Sequence, residues 1–423
     1  MKTVTMRFNR ILSMAKTPFI LMFAMLILLP ELCNGQSDSS PLNFYRKKQR
    51  GFGLVTTDSV FSVNFQFRMQ NRAAVVTKGL DDLAAESFEF RVRRLRLKFE
   101  GFAYDPKLTY YIQLSFSRGD MDWRGPENSL NNSSPNVVRD AVIYYNPTKN
   151  LKLGFGQTKL PGNRQRVVSS GDQQFADRSI VNATFNIDRD FGFFGHLTSN
   201  YIILRGAITS GEGRNSLGSN NGLAYTGRIE LLPFGKFTGD NDYVEGDLER
   251  EPSPKLSLAA TFSYNDNAVR EAGQLGEDLF QPREIRNIEM DALFKYNGWA
   301  WYNEYMERNS SQPVTVNPQN SETRFVFAGK GYLSQLSYLF GNNFEIAGRY
   351  AVTVPFSPLY DNPTYPSLSE RKIEHVELGV TRYLVGHRVK VQANVVRSER
   401  TNPVDNTSDG GYWSAIFQVE LGI

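Results

Sequence analysis

The side chains of this chain best suited to chemistry are arginines and lysines that recur at every second position. Arg94, Arg96 and Lys98 are separated by Leu95 and Leu97. Alternate side chains of a β-strand point to opposite faces, so the three cations would share one face at steps of about 7 Å. Rows of Arg and Lys attract anions, and the planar Arg guanidinium matches the geometry of a phosphate group. We interpret this face as a candidate anion path.

Residues suited to catalysis or metal binding are few. The three histidines are His196, His375 and His387, and none belongs to a Gly-x-Ser-x-Gly elbow or a zinc-spaced pair. A Ser–His hydrolase set in the wall of a β-barrel remains a rival interpretation. The acidic run at residues 240–251 lacks the glycine and the ligand spacing of a calcium loop. It predicts a solvated turn, and no cofactor or metal is expected.

Long antiparallel strands are the elements that would position these cations. Every second residue from 413 to 423 is apolar, and the residues between them are mostly polar or small. Residues 60–70 alternate in the same way, with Phe65 on one side and Gln66 on the other. Such alternation is typical of a membrane barrel with lipid outside and water inside. The terminal strand alone is also compatible with the edge of a soluble sandwich.

The lengths of the connections favour the membrane barrel. About sixteen strands are predicted, and the gaps between them alternate between long and short. One short gap holds Asn297 and Gly298, a strong hairpin signal. Bacterial barrels have an even number of strands, short periplasmic turns and long outer loops. We therefore predict an all-β, antiparallel transmembrane barrel of about 16 strands. The gap at 233–254 is an exception, because it is long where a short turn is expected.

The basic strand itself changes register. Phe90 and Val92 alternate out of phase with Leu95 and Leu97. A one-residue slip moves side chains to the other face, so the sequence predicts a bulge or a loop exit near Arg93. Residues around Ser87 are predicted to belong to a loop before that strand.

The alternation of side chains between the two faces of each strand (their parity) assigns further cations to the interior of the barrel. A cation that faces lipid at mid-depth costs about 2–4 kcal/mol, so the water-filled lumen is the favoured side. The predicted lumen-facing set comprises Arg68, Arg94, Arg96, Lys98, Lys152, Arg205, Arg228, Arg349, Arg388 and Lys390. An alternative stays open, in which these charges only solvate the wall and pair with inward acids such as Glu100, Asp291 and Glu304.

Three cations open the longest early gap, residues 159–188. They are Lys159, Arg164 and Arg166. If this connection folds into the barrel, these side chains lie at the constriction of the pore. If it faces solvent outside the barrel, they are ordinary outer-loop charges. The residues alone leave this choice open.

The N-terminus carries a targeting segment. Basic residues precede an apolar run at 19–29, which is too short for a stable transmembrane helix. Small residues then offer a cleavage site, with Gln36 as the predicted mature start. Cys33 would leave with the signal, and a mature chain without disulfides fits a bacterial envelope barrel. The predicted divisions are a signal peptide at 1–35, a disordered, polar lead-in at 36–58 and the barrel at 59–423.

Five segments carry a resemblance to a known family. They are RVRRLRLKFEG at 91–101, LGFGQTKLPG at 153–162, RDFGFFG at 189–195, ALFKYNGWAWYNEY at 292–305 and VELGVTRYLVGHRVKVQANVV at 376–396. In order and spacing they resemble the phosphate-selective porin O and P family, in the form common in the Bacteroidetes. The resemblance implies a sixteen-stranded outer-membrane channel, usually trimeric, whose third outer loop folds inward. It also implies an anion path of arginines and lysines.

The expected function is that of an outer-membrane porin for passive diffusion of small hydrophilic solutes. The basic residues extend this expectation to anions, phosphate included. The expected partners are outer-membrane lipid, the solutes and two further copies in a homotrimer. A net charge of +4 is too small to indicate nucleic-acid binding. The rival from another class is a surface interaction protein, in which a plugged barrel anchors long adhesive loops.

Overall fold

The computed structural model describes residues 42–46, 51–117, 137–216 and 220–423. The predicted signal peptide, with Cys33, lies outside the described residues, and so does the middle of the long connection around residue 132. No helix among the described residues is long and apolar enough to cross a membrane.

Sixteen antiparallel strands form one closed barrel, which confirms the predicted fold class. All of the following strands except β1, β2, β14 and β15 belong to its wall. They are β1 (Leu42–Arg46), β2 (Phe52–Thr56), β3 (Ser62–Thr77), β4 (Ala85–Ala103), β5 (Asp105–Ser115), β6 (Val138–Tyr145), β7 (Leu151–Lys159), β8 (Arg189–Thr198), β9 (Ile202–Thr209), β10 (Ala224–Leu231), β11 (Lys255–Arg270), β12 (Asp278–Tyr296), β13 (Trp299–Asn309), β14 (Val314–Val316), β15 (Thr323–Phe325), β16 (Gly329–Leu339), β17 (Phe344–Pro355), β18 (Lys372–Val385), β19 (Val389–Thr401) and β20 (Ser408–Gly422).

The last strand closes the barrel against the first strand of the wall. β20 pairs with β3, and Phe417 lies opposite Ala73. Closure satisfies backbone groups of both end strands, which lipid could not do. Phe417 is 50% exposed on the outside, whereas its neighbours Gln418 and Glu420 are each 1% exposed. The apolar face therefore points to lipid and the polar face to the lumen, as the alternation predicts.

Bulges in β4 and β6, the two strands that flank β5, each add an arginine to the lumen. In β4, Arg94 pairs with Gln70 and Val92 pairs with Asn71, which leaves Arg93 as the extra residue. This confirms the predicted bulge. β6 has the same kind of irregularity, and Arg139 is the extra residue there. A bulge sets two residues against one and can re-aim a side chain. Consecutive residues at both places therefore reach the interior.

Short turns join the strands at one end of the barrel. Asn297 and Gly298 have φ angles of 46° and 90° and connect β12 to β13. A type I′ turn requires positive φ at both central residues, so the predicted hairpin is confirmed. At the opposite end β4 is longer than expected. Ser87, which the sequence placed in a loop, pairs with Val76 as part of that strand.

The lead-in also differs from expectation. Instead of being disordered throughout, it contains β1 and β2, which pair with each other. β2 then pairs with residues Ser62–Phe65 at the start of β3. β20 covers β3 only from Arg68 onward, so the free backbone groups before that point are available to β2. The hairpin thereby extends the wall at the short-turn end.

Within the described residues, helical structure is found in connections between strands. Two short helices lie between β7 and β8, namely α1 (Arg164–Val167) and α2 (Ile180–Phe185). Tight 3₁₀ turns occur at Thr238–Tyr243 and Ser357–Leu359.

Candidate functional site in the barrel lumen

The connection between β7 and β8, residues 160–188, lies inside the barrel, and we name it the inward loop. Ser179 and Val181 within it are both fully buried. The hydroxyl of Ser179 caps α2 by accepting a hydrogen bond from the Asn182 N–H at 3.1 Å. Buried backbone groups must find partners, and the wall of the barrel supplies many of them. The third long connection therefore folds into the lumen, as the family resemblance implies.

Arg164 anchors the inward loop to one side of the wall. Its guanidinium donates to Asp291 Oδ1 at 2.7 Å and to Glu230 Oε2 at 2.9 Å. Arg228 lies beside it, 2.7 Å from Asp291 Oδ2. The four side chains are at most 2% exposed, so each charge depends on its partners. The sequence placed Arg164 at an open constriction and Arg228 on an anion path. The structure places both in this closed cluster.

Apolar contacts hold the second helix of the inward loop. Val181 and Phe185 of α2 pack in one buried cluster with Met306, Leu333 and Ala351 of the wall. Burial of such a side chain contributes about 1.5–3 kcal/mol. This part of the lumen is consequently filled with side chains instead of water.

Two cations from the predicted anion path hold the inward loop against β17 and β19. Lys390 is fully buried and donates to the carbonyl oxygens of Gly171 at 2.8 Å and Gln173 at 2.6 Å. Arg349 donates to the Asp177 carbonyl at 3.1 Å. Hydrogen bonds from charged donors are stronger than neutral ones. Lys390 and Arg349 therefore position the loop, which differs from the pore-lining role expected for them.

The acidic run also enters the lumen. It belongs to residues 232–254 between β10 and β11, which we name the inward turn. Asp247 and Glu251 are fully buried, so the solvated turn expected from the sequence is wrong for these two residues. Asp247 accepts hydrogen bonds from the N–H groups of Glu251 and Gly298. Its carboxylate therefore stabilises this fold instead of facing water, whereas Asp240 and Glu249 are exposed.

A strongly basic cavity of about 250 Å³ lies between the inward loop and the wall formed by β4 to β8. We name it the basic chamber. Ten of its sixteen lining residues are Arg or Lys, and a single one, Asp188, is acidic. The ten cations are Arg93, Arg94, Arg96, Lys98, Arg139, Lys159, Arg166, Arg178, Arg189 and Arg214. Five of them belong to the predicted set, including Lys159 and Arg166 of the constriction group.

The other five cations of the chamber were missed by sequence reasoning. Arg93 and Arg139 are the extra residues of the two bulges, so strict alternation excluded them. The bulge predicted at Arg93 was the one available signal. Arg189 lies opposite Lys159 where the two ends of the inward loop meet the wall. Arg178 and Arg214 come from connections, for which parity has no meaning.

The acid of the basic chamber is clamped by arginines. Asp188 lies 2.5 Å from Arg166 and 3.2 Å from Arg189. Burial by itself would raise the pKa of Asp188, but the charges of Arg166, Arg189 and Arg214 outweigh it and hold the pKa well below its usual range. The carboxylate therefore stays ionised. Asp140 and Asp177, which do not line the chamber, pair with Arg189 and Arg93, so three carboxylates offset part of the positive charge of the ten cations.

A larger cavity of about 540 Å³ opens next to the basic chamber at the short-turn end. We name it the vestibule. Arg96, Lys98 and Ser169 line both cavities, so the two are adjacent along β4. Arg68 and Arg388 of the predicted set line the vestibule as well. Its walls also carry the acids Glu100, Asp172, Asp240, Glu249 and Glu420. The charge of the vestibule is thus far more balanced than that of the chamber.

The two remaining predicted cations, Lys152 and Arg205, also line neither cavity. Lys152 Nζ lies 3.7 Å from the ring centre of Tyr144. Arg205 donates to Tyr243 Oη at 2.5 Å and lies 3.3 Å from Glu230. Both therefore act as partners of wall and turn residues, which fits the alternative interpretation of pairing and solvation.

Comparison with known proteins agrees with this geometry. The family model for phosphate-selective porin O and P matches residues 63–409. A search of curated sequences finds no match. Among solved structures, the outer membrane channel DcaP of Acinetobacter baumannii is similar with a TM-score of 0.53 and 12% identity, over 88% of this chain and 100% of that one. An anion-selective porin from Comamonas acidovorans is similar with a TM-score of 0.52 and 11% identity, over 86% of this chain and 100% of that one.

Proposed function

Because the chain belongs to the phosphate-selective porin O and P family, we propose that its barrel passes small anions, phosphate among them, in preference to cations. It is a porin of the bacterial outer membrane, and its family and fold indicate a channel rather than an enzyme. The preferred solute is thus anionic, and it passes along one side of the lumen.

The observation that carries the proposal is the composition of the basic chamber. Ten cations and one acid line a cavity of about 250 Å³, and two further acids, Asp140 and Asp177, pair with Arg189 and Arg93. Charges within a Debye length of one another, about 8 Å at physiological salt, act on a passing ion together. An anion that enters the chamber is stabilised by the summed field, and a cation is repelled. Arg94 and Arg96, which the sequence singled out, lie in this wall.

The path follows from what fills the rest of the lumen. The cluster at Arg164 and the apolar packing of α2 occupy the side of β9 to β17. The basic chamber lies against β4 to β8, the vestibule lies against β18, β20, β3 and β4, and the two share Arg96 and Lys98. Conduction requires binding that is favourable on entry and weak enough for release. Acids such as Asp172 and Glu249 in the vestibule weaken the hold on an anion after it leaves the chamber.

Several finer assignments belong to the same proposal. The similar porin from Comamonas acidovorans is described as anion-selective, which supports the proposed preference for this chain. We propose a homotrimer, passage of solutes without chemical change, and the Bacteroidetes form of the family, on the resemblance of the five segments. We also propose removal of residues 1–35 as a signal peptide, with 36–58 as the lead-in to a barrel at 59–423.

The test is the reversal potential of the purified protein in planar bilayers across a salt gradient. A reversal potential with the sign expected for an anion-selective channel supports the proposal. A potential of the opposite sign contradicts anion selectivity and leaves the porin function intact. A protein that inserts as a barrel yet passes no current favours the plugged surface anchor instead.

A further inference from the structure

The inward turn enters the lumen from the end opposite to the inward loop. It replaces a connection that the alternation of gaps predicts to be short. Lys295 of the wall is fully buried and donates to the carbonyl oxygens of Asn241 at 2.5 Å and Val244 at 2.7 Å. The wall therefore holds the turn through its backbone, inside the barrel.

Glu245 joins the two inward segments. Its N–H donates to the Asp172 carbonyl of the inward loop at 2.8 Å. Its carboxylate accepts hydrogen bonds from the Gln174 N–H at 2.9 Å and from Gln165 Nε2 at 3.5 Å. The carbonyl of Glu245 is also 3.0 Å from His387 Nε2. Glu245 thus contacts three residues of the loop, Gln335 of β16 at 3.4 Å, and His387 in the turn between β18 and β19.

The residue after this junction has no room for a side chain. Gly246 has a φ of +73°, and a Cβ atom there would lie 2.7 Å from Glu345 Oε1. That carboxylate is itself held by Gln174 Nε2 at 2.6 Å and by the Tyr383 hydroxyl at 2.5 Å. Such an oxygen cannot move away freely, and the same Cβ would lie 3.3 Å from Gln174 Nε2 of the loop. A side chain at Gly246 therefore pushes the turn away from both Glu345 of β17 and Gln174 of the loop.

The inward turn and the inward loop contact each other, and together they line the two cavities. The turn lines the vestibule through Asn241, Tyr243 and Val244. The loop lines the basic chamber through Ser170 and Arg178. We propose that the inward turn is a positioning element of the pore, which supports the inward loop through Glu245 and thereby sets the width of the conducting path. This inference rests on the porin function but not on the preference for anions.

The experiment compares two disrupting variants with two matched controls. Glu245→Gln removes the charge at the junction, and Glu322→Gln removes the same charge from an exposed residue between β14 and β15 that lines neither cavity. Gly246→Ala introduces the steric clash with Glu345. Gly235→Ala is its control, because Gly235 has a similar φ of +74° but nothing lies within 4 Å of a Cβ there. Loss of a charge-assisted hydrogen bond should raise the undocked fraction of the turn by roughly ten-fold.

Single-channel conductance and the largest sugar that enters proteoliposomes are the readouts. Glu245→Gln and Gly246→Ala should raise both, whereas Glu322→Gln and Gly235→Ala should keep the wild-type size limit. Wild-type values in both disrupting variants would overturn the proposal. The reversal potential recorded in the same channels tests anion preference separately, so a cation-selective channel with the expected widening refutes only the selectivity.

If the disrupting variants do not assemble, a cysteine pair tests whether the inward turn docks on the inward loop. Asp172→Cys and Glu245→Cys place two thiols on residues whose backbones are hydrogen-bonded, a distance that a disulfide can span. The oxidised channel should have a lower conductance than the same variant after reduction, because the disulfide keeps the turn docked on the loop. Equal conductance in both redox states, or no disulfide after oxidation, contradicts the docking role.

Discussion

Replacement of Arg94 and Arg96 by Gln should reduce the preference of the channel for anions. Both side chains belong to β4 and line the basic chamber. Arg94 donates to Gln70 Oε1 at 2.8 Å, and Arg96 donates to Ser170 Oγ at 2.9 Å. Gln keeps a polar side chain at each position, so the double variant removes two charges while it preserves much of the packing.

The size of the effect follows from Coulomb's law with salt screening. One such charge about 5 Å from a passing anion in water is worth about 0.8 kcal/mol, and 0.15 M salt reduces this to about 0.45 kcal/mol. A cation loses what an anion gains, so two arginines separate the two ions by about 1.8 kcal/mol. This is a roughly 20-fold change in the permeability ratio. At 1 M salt the Debye length is about 3 Å, and about a three-fold change remains.

The assay is the reversal potential of wild type and variant at both salt concentrations. Ser170→Ala is the matched control, because it removes the hydrogen bond of Arg96 without a change in charge. Arg286→Gln is a second control, since that side chain is 60% exposed on the outside of the barrel. Both controls should keep the wild-type potential.

Two results would refute the reasoning. A variant with the wild-type permeability ratio would mean that Arg94 and Arg96 do not face the conducting path. A shift of equal size at both salt concentrations would mean that the effect comes from altered pore shape and not from a screened field.

Three further predictions concern the barrel itself. A tag inserted at Ser133 should be labelled on intact cells and a tag between Asn297 and Gly298 should not, because both ends of an even barrel face the periplasm; the reverse pattern would overturn the topology. Phe417→Asp should prevent assembly of heat-modifiable barrels and Phe417→Leu should not, because Phe417 faces lipid; normal barrels from the Asp variant would contradict that parity. Arg164→Met should destabilise the barrel by about 3–5 kcal/mol, since it leaves Asp291 and its neighbours short of a buried partner; an unchanged thermal unfolding temperature would show that the inward loop is not pinned there.

Strand β4 shows what the alternation of side chains in the sequence can predict. The spacing of Arg94, Arg96 and Lys98 was sufficient to place them on the lumen side, and all three line the basic chamber. The register change near Arg93 was visible as well. Sequence periodicity could not show that Arg139 also occupies a bulge, because a single extra residue in a short strand leaves no clear phase shift.

The inward loop and the inward turn show what the alternation of side chains cannot predict. Lys390 and Arg349 obey the predicted parity, yet they hold the backbone of the inward loop instead of lining an open path. Parity assigns a side chain to a face of the wall, but it does not say what else occupies the lumen. The same limit explains the acidic run, where polar composition suggested solvent and Asp247 is fully buried.

The sequence by itself determined the closed antiparallel barrel, its outward and inward faces and the basic strand, because these depend on a two-residue period that each strand carries locally. Only the tertiary structure decided which inward cations border water. That outcome depends on two long connections that fold into the lumen from opposite ends, and their contacts join residues far apart in the chain, such as Arg164 with Asp291 and Glu245 with Asp172. Long-range pairings of this kind leave no periodic trace in the sequence, so the division of the lumen into a filled side and a basic, open side could be seen only in three dimensions.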